Sequence, residues 1–157
     1  ALFKKGKGIY RAKELLENIN RLIQLAESQN APVVLVRHCN DSFLAEGTPD
    51  WQVHEDLVLP ASMICINKRH GSCFEDTGLD EALKQRNING VVVTGLVTQG
   101  CVRASSLAAI TLGYDVTLVS DGHSSYSKDA ADLIHQWNEQ IRVAGARLEK
   151  AADVSFL

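Results

Sequence analysis

Four short aliphatic runs, Val33–Arg37, Met63–Asn67, Val91–Thr94 and Val116–Ser120, punctuate the chain and are separated by segments of helical period. They are too continuously apolar for strands with one wet face, so they read as buried parallel strands covered on both sides. Residues 11 to 28 carry Ala12, Leu15, Leu16, Ile19, Leu22, Ile23 and Ala26 at helical spacing, which predicts an amphipathic helix. Asn30 and Pro32 end it. Further helices are expected over Leu79–Arg86, over Cys101–Leu112 with Gly113 as its stop, and over Lys128–Val143. A terminal strand is expected at Val154–Phe156. Strands alternating with helices give a three-layer α/β fold with a mostly parallel central sheet flanked by helices. With 157 residues, no internal repeat and no linker, the chain reads as a single domain.

Charge and cysteine usage narrow the function. The net charge is -3 and the only basic cluster is Lys4, Lys5 and Lys7, read as a solvated loop. A nucleic-acid partner is therefore not expected. No apolar run reaches the roughly 20 residues that span a bilayer, and no signal peptide is recognisable, so a membrane partner is not expected either. The four cysteines, Cys39, Cys65, Cys73 and Cys101, lack CxxC spacing and nearby histidine clusters, which argues against a zinc site or a disulfide framework. Free thiols point to the cytoplasm.

In an open α/β sheet, ligands bind outside the carboxyl ends of the strands. Lys68 follows the second run, Gly95 to Cys101 follow the third, and Asp121, Gly122 and His123 follow the fourth. Cys101 stands where a strand turns into an apolar helix, a setting that favours a nucleophilic thiolate and offers backbone amides to an oxyanion. Position alone leaves a second reading open, that of a buried filler. Lys68 is likewise either a snorkelling surface residue or an ammonium partner for that thiolate. The long polar loop from His38 to about Pro60 carries Gly47, Thr48, Pro49 and Trp51, and a loop of that length is usually functional or mobile.

The stretch VVVTGLVTQGCVRASSLAAITLGYDVTLVSDG closely resembles the nucleophile region of isochorismatase-like cysteine hydrolases, which include nicotinamidases. INKRHGSCFEDTGLDEAL is similar to that family's lysine segment, and GTPDWQVHEDLVLP to its intervening loop. ADLIHQWNEQIRVAGARLEKAADVSF is similar to its closing helix and strand, so the resemblance runs from Gly8 onward. It implies a Rossmann-like hydrolase with an Asp–Lys–Cys triad, its Cys at Cys101 and its Lys at Lys68. It also implies a cis peptide at Leu96–Val97, with the Val97 and Cys101 amides aimed at the oxyanion and Thr98 bracing the turn. Homodimers or higher homo-oligomers are common in the family.

The chain departs from the pattern at the acid. The family's Asp lies on a first strand followed by a Phe, and Ala1-Leu2-Phe3 resembles only the tail of that pattern. The expectation is that the strand lies in unrecorded N-terminal residues. The other reading is a truncated form, inactive or completed by a partner chain. Asp121 is expected to brace its loop. The segment VRHCNDSFLAEG has His38 and Asp41 but not the Asp-x-His arrangement of the metal-binding relatives, so no metal and no cofactor are expected. His38 then reads as a pocket-wall or loop-bracing residue. His54, His70 and His135 read as solvated, and Cys39, Cys65 and Cys73 as structural. Trp51, Phe74, Leu96, His123 and Tyr126 are candidate walls for a small planar or heterocyclic substrate, with plain packing the competing reading for the aromatics. Because isochorismatase itself is not thought to need this cysteine, Cys101 favours hydrolysis of a small-molecule amide or related C–N acyl bond through a thioester. The alternatives are ether or ester hydrolysis on the same scaffold, and a non-catalytic binding or oligomerisation module.

Overall fold

The computed structural model describes residues 2–4 and 8–157. Lys5, Lys7 and the side chain of Lys4, expected as a solvated cluster, lie outside the described residues. The elements run α1 (Ala12–Ser28), β1 (Val34–His38), β2 (Ile64–Lys68), α2 (Leu79–Lys84), β3 (Gly90–Leu96), α3 (Arg103–Thr111), β4 (Asp115–Ser124), α4 (Ala130–Val143) and β5 (Arg147–Glu149). A short 3-10 turn at Leu2–Lys4 precedes them, and an irregular helical turn, Thr98–Val102, links β3 to α3.

Local chemistry sets the helix ends. After α1 the chain passes through Asn30 at φ 56, while the Ala31 and Asn30 amides donate back to the Ala26 and Glu27 carbonyls at 2.8 and 3.2 Å. This is a Schellman end with asparagine in the left-handed position, one of the few side chains that tolerate it. Gly113 does the same after α3, with φ 89 and the Tyr114 amide donating to Ala109 O at 3.0 Å. The buried residues of α1, among them Leu15, Leu16, Leu22, Ile23 and Ala26, are those its periodicity marks.

All strand pairs are parallel: β1 with β2, β3 with β4, and β4 with β5. They form two sections, β1–β2 and β3–β4–β5, with no bridge between β1 and β3 among the described residues. Alternation along the strands divides the core into two layers. Val116 and Leu118 of β4, with Val91 and Val93 of β3, pack toward Leu83, Ala109 and Ile141 of α2, α3 and α4. Val119 and Val92 point the other way, onto Leu22 of α1 and the C-terminal Val154. Val34, Val36 and Ile66 join the first layer, so helices cover both faces of the sheet as expected of a three-layer α/β fold. β4 has a strand on each side and is almost wholly buried, whereas β1, and β3 after its exposed first residue, are half-buried.

Three expectations need correction. The last strand is Arg147–Glu149, not Val154–Phe156, where the backbone is irregular. Val154 still packs inward, so the apolar signal there reported burial rather than strand pairing. Asp121, Gly122 and His123 lie within β4 rather than after it, because a register shift between Val93 and Gly95 lets pairing continue to Leu96↔Ser124. The α3 helix begins at Arg103, which leaves Cys101 inside the irregular turn before it. Among the described residues no helix is long and apolar enough to cross a membrane.

Candidate active site

The parallel register of β1 with β2 pairs His38 with Lys68 at the carboxyl ends of both strands. Lys68 is 4% exposed. Its ammonium Nζ donates to His70 O at 2.7 Å and Gly71 O at 3.1 Å, and lies 3.0 Å from Cys101 Sγ and 3.2 Å from His38 Nδ1. An ammonium has three protons, so four acceptors compete for them. The two carbonyls belong to the loop after β2, which the lysine thereby closes. Gly71 fits tightly against α3, since a Cβ there would meet Ala104 Cβ at 3.3 Å. That contact carries the β2 loop to the turn bearing Cys101.

Cys101 is half-buried. Its turn follows the Leu96–Val97 peptide, which is cis. Val97 O accepts the Gly100 and Val102 amides at 3.0 and 3.2 Å, and Gly100 adopts φ -110, ψ -106 within the turn. A side chain at Gly100 would bring its Cβ to 3.0 Å from Val97 Cγ2.

Burial, reinforced by the Lys68 charge alongside and by His70, holds the His38 imidazole below its usual range, against an opposing backbone bond to His70. A neutral ring accepts from Lys68 through Nδ1. No carboxylate contacts Lys68 among the described residues, and no three His, Cys, Asp or Glu side chains converge there as metal ligands. His38 is therefore a partner of the lysine as well as a residue of the site's edge.

The remaining candidates are dispersed. Trp51 is 9% exposed: its indole Nε1 donates to Cys39 Sγ at 2.9 Å and the Arg37 guanidinium lies 3.7 Å from its ring centroid. Phe74 stacks on Tyr114, with centroids 5.7 Å apart, and packs against the core. Both aromatics thus make packing contacts with neighbouring side chains. Tyr126 is exposed at 47%, and Leu96 is half-buried at the end of β3. His123, expected in the substrate pocket, is only 3% exposed. It borders a cavity of about 210 Å³ between α1, β4 and α4 whose lining includes neither Cys101 nor Lys68. Its ring bonds Thr98 Oγ1 at 2.8 Å and Asn138 Oδ1 at 2.9 Å.

Asp121 braces as expected, its Oδ1 accepting the Ala151 amide at 2.8 Å. His70 pairs with Asp76 at 3.0 Å, His135 is exposed, and His54 packs at a tilt against Phe3, ring centroids 4.4 Å apart, rather than standing in solvent. Cys39 and Cys73 are buried, and burial pushes the Cys73 thiol up. Cys65 is exposed, on the outward face of an edge strand, so it is no core residue.

Sequence reading missed Asn138 and the Lys68–His38 pairing. Asn138 carried a signal, since it falls between Ile134 and Ile141 on the inner stripe of α4. An amide on an apolar stripe needs a buried partner. The pairing of His38 with Lys68 carried none, because it depends on strand register.

A family model described as the isochorismatase domain matches residues 2–141. An uncharacterised isochorismatase family protein, YrdC of Bacillus subtilis, is 29% identical over 70% of this chain and 60% of its own length. A nicotinamidase of Escherichia coli is 35% identical over 50% of this chain and 37% of its own. The chain thus spans less than two thirds of each of these relatives, 60% of the first and 37% of the second. A cysteine hydrolase from Pseudomonas syringae superposes with a TM-score of 0.87 at 22% identity, covering 97% of this chain and 84% of the other, a likeness that concerns the fold. The domain match over nearly the whole chain, with the fold beneath it, establishes that the chain belongs to the isochorismatase family.

Proposed function

We propose that this chain is a cysteine hydrolase that cleaves a small-molecule amide or related C–N acyl bond, with Cys101 as nucleophile. The observation that carries the reading is the 3.0 Å contact between Lys68 Nζ and Cys101 Sγ at the carboxyl edge of the sheet. A buried ammonium against a half-exposed sulfur is charge-matched to a thiolate, and a filler cysteine needs no such partner. The amidase name of the nicotinamidase relative supports a C–N bond as the target.

In this reading the Cys101 sulfur attacks the acyl carbon, and the carbonyl electron pair moves onto oxygen. Amides of the 97–101 segment hold that oxygen. Collapse expels the nitrogen, which takes up the proton that the Cys101 thiol gave up and leaves as amine or ammonia, and a thioester remains on Cys101. Water then adds to the thioester, the carboxylic acid departs and the thiol is restored. Lys68 keeps the sulfur in place throughout, with its two loop carbonyls fixing the ammonium.

The test is alkylation by iodoacetamide near neutral pH with adduct mapping by mass spectrometry, followed by a screen of small primary amides for released ammonia. Preferential modification of Cys101 over Cys39, Cys65 and Cys73 supports the reading. Uniformly slow labelling of all four defeats it, and favours a module without catalysis.

A further inference from the structure

Behind the turn that carries Cys101 lies a chain of hydrogen bonds in which every proton position can be assigned. Asn138 of α4 donates from Nδ2 to the Ser120 carbonyl at 3.3 Å, which turns its Oδ1 toward His123. An amide oxygen only accepts, so His123 Nε2, 2.9 Å away, must be the protonated nitrogen. In a neutral ring the other nitrogen, Nδ1, carries the lone pair. It accepts from Thr98 Oγ1 at 2.8 Å. The order Thr98 to His123 to Asn138 to Ser120 is thus fixed in one direction.

These groups are shielded. Thr98 is 0% exposed and His123 3%. Burial depresses the imidazole, against the Asn138 bond and the Asp121 charge, so the ring is neutral near pH 7. The titratable groups that line its cavity are Asp121 on its own strand, Tyr10 and Arg11 just before α1, and Glu14 of α1. From the 98–102 turn and α4, Thr98 and Asn138 hydrogen-bond the ring.

We propose that His123 is a positioning residue for acyl transfer at Cys101, because as an Nε2-protonated ring it accepts a hydrogen bond from the Thr98 hydroxyl and so anchors the 98–102 turn to β4 and α4. The inference rests on Cys101 being the nucleophile. Its logic is geometric. The sulfur is held from one side by Lys68, on the β1–β2 section of the sheet. The turn is held from the other side by the relay, on the β3–β4–β5 section. Lys68 fixes the sulfur without fixing the amides that must face the acyl oxygen, and the relay fixes the turn that bears those amides.

Two reagents separate these roles. Iodoacetamide reacts with the sulfur by direct displacement and forms no oxyanion. p-Nitrophenyl acetate acylates through a tetrahedral oxyanion, and its phenolate release is read optically. The ratio of acylation to alkylation rate therefore reports the turn, with the ionisation of Cys101 divided out. Thr98→Val, which removes the hydroxyl at nearly constant volume, is expected to lower this ratio about tenfold or more, with Thr98→Ser restoring it. Asn138→Asp places a carboxylate against Nε2 and favours the imidazolium. Nδ1 then donates to Thr98 Oγ1, so the fully buried Thr98 hydroxyl loses the acceptor for its own proton and must rotate off the geometry that holds the turn. Its ratio is expected to be low at neutral pH and to climb as the pH is raised through the elevated imidazole value, while the wild-type ratio stays flat over that range.

An unchanged ratio in Thr98→Val, or a loss in Asn138→Asp that does not vary with pH, overturns the proposal. A simple packing role would give that second result. If wild-type Cys101 is not preferentially alkylated, the nucleophile reading itself fails, and that result is read before either variant is made.

Discussion

Lys68 Nζ sits 3.0 Å from Cys101 Sγ although 33 residues separate them in sequence. Lys68 is almost wholly buried, and its ammonium reaches two carbonyls of the β2 loop, His38 of β1 and the Cys101 sulfur of the turn after β3. A replacement that cannot donate leaves two carbonyls and the sulfur short of a donor.

Lys68→Met keeps the aliphatic stem and removes the donor. Unsatisfied His70 and Gly71 carbonyls each cost about 1–3 kcal/mol where water cannot reach them. The expected outcome is a Tm lower by several degrees together with at least a tenfold drop in Cys101 alkylation rate at pH 7. Differential scanning fluorimetry and timed mass spectrometry read the two effects. A variant that is destabilised but alkylates at the wild-type rate would show that the lysine is purely a loop clamp.

Cys101→Ala removes a half-buried sulfur from a turn held by its own backbone and by Thr98. The expected loss of stability is about 1 kcal/mol or less, and the expected loss of acyl turnover is complete. Retained hydrolysis of any substrate found for the wild type would refute the thioester route.

Acidification should destabilise the fold through two histidines. Burial lowers both His38 and His123 from an ordinary value of 6.5. Below about pH 6.5 the unfolded chain binds protons that the folded chain refuses. Stability therefore rises with pH, is complete above that value, and declines as pH falls toward the depressed folded-state values. Thermal melts between pH 8 and 5 should show Tm falling from about pH 6.5 downward, with a shallower fall in His123→Gln. A Tm that is level across this range would contradict the burial argument.

Gly122→Ala should be costly although Gly122 does not require a positive φ. A Cβ there would stand 2.7 Å from Val119 Cγ1 and 2.9 Å from Thr94 Oγ1. Val119 is 0% exposed and cannot give way, and Thr94 donates its hydroxyl to the Gly122 carbonyl. Overpacking of this kind costs about 1–3 kcal/mol. A chemical-denaturation midpoint unchanged from wild type would show that β4 can shift there at no cost.

Local pattern determined much of this protein. The period of α1, the left-handed stops at Asn30 and Gly113, and the apolar runs of β1 to β4 are properties of neighbouring residues, and they read directly from the chain. The placement of Lys68 and of the Gly95–Cys101 segment at strand ends was legible for the same reason. Tertiary structure alone decided which of these ends meet. His38 faces Lys68 because two strands pair in one register, and His123 lies inside β4 because a register shift prolongs the pairing. Trp51 packs under Arg37 and onto Cys39. Such contacts join side chains dozens of residues apart, and their energies depend on three-dimensional distance, which no sequence period encodes.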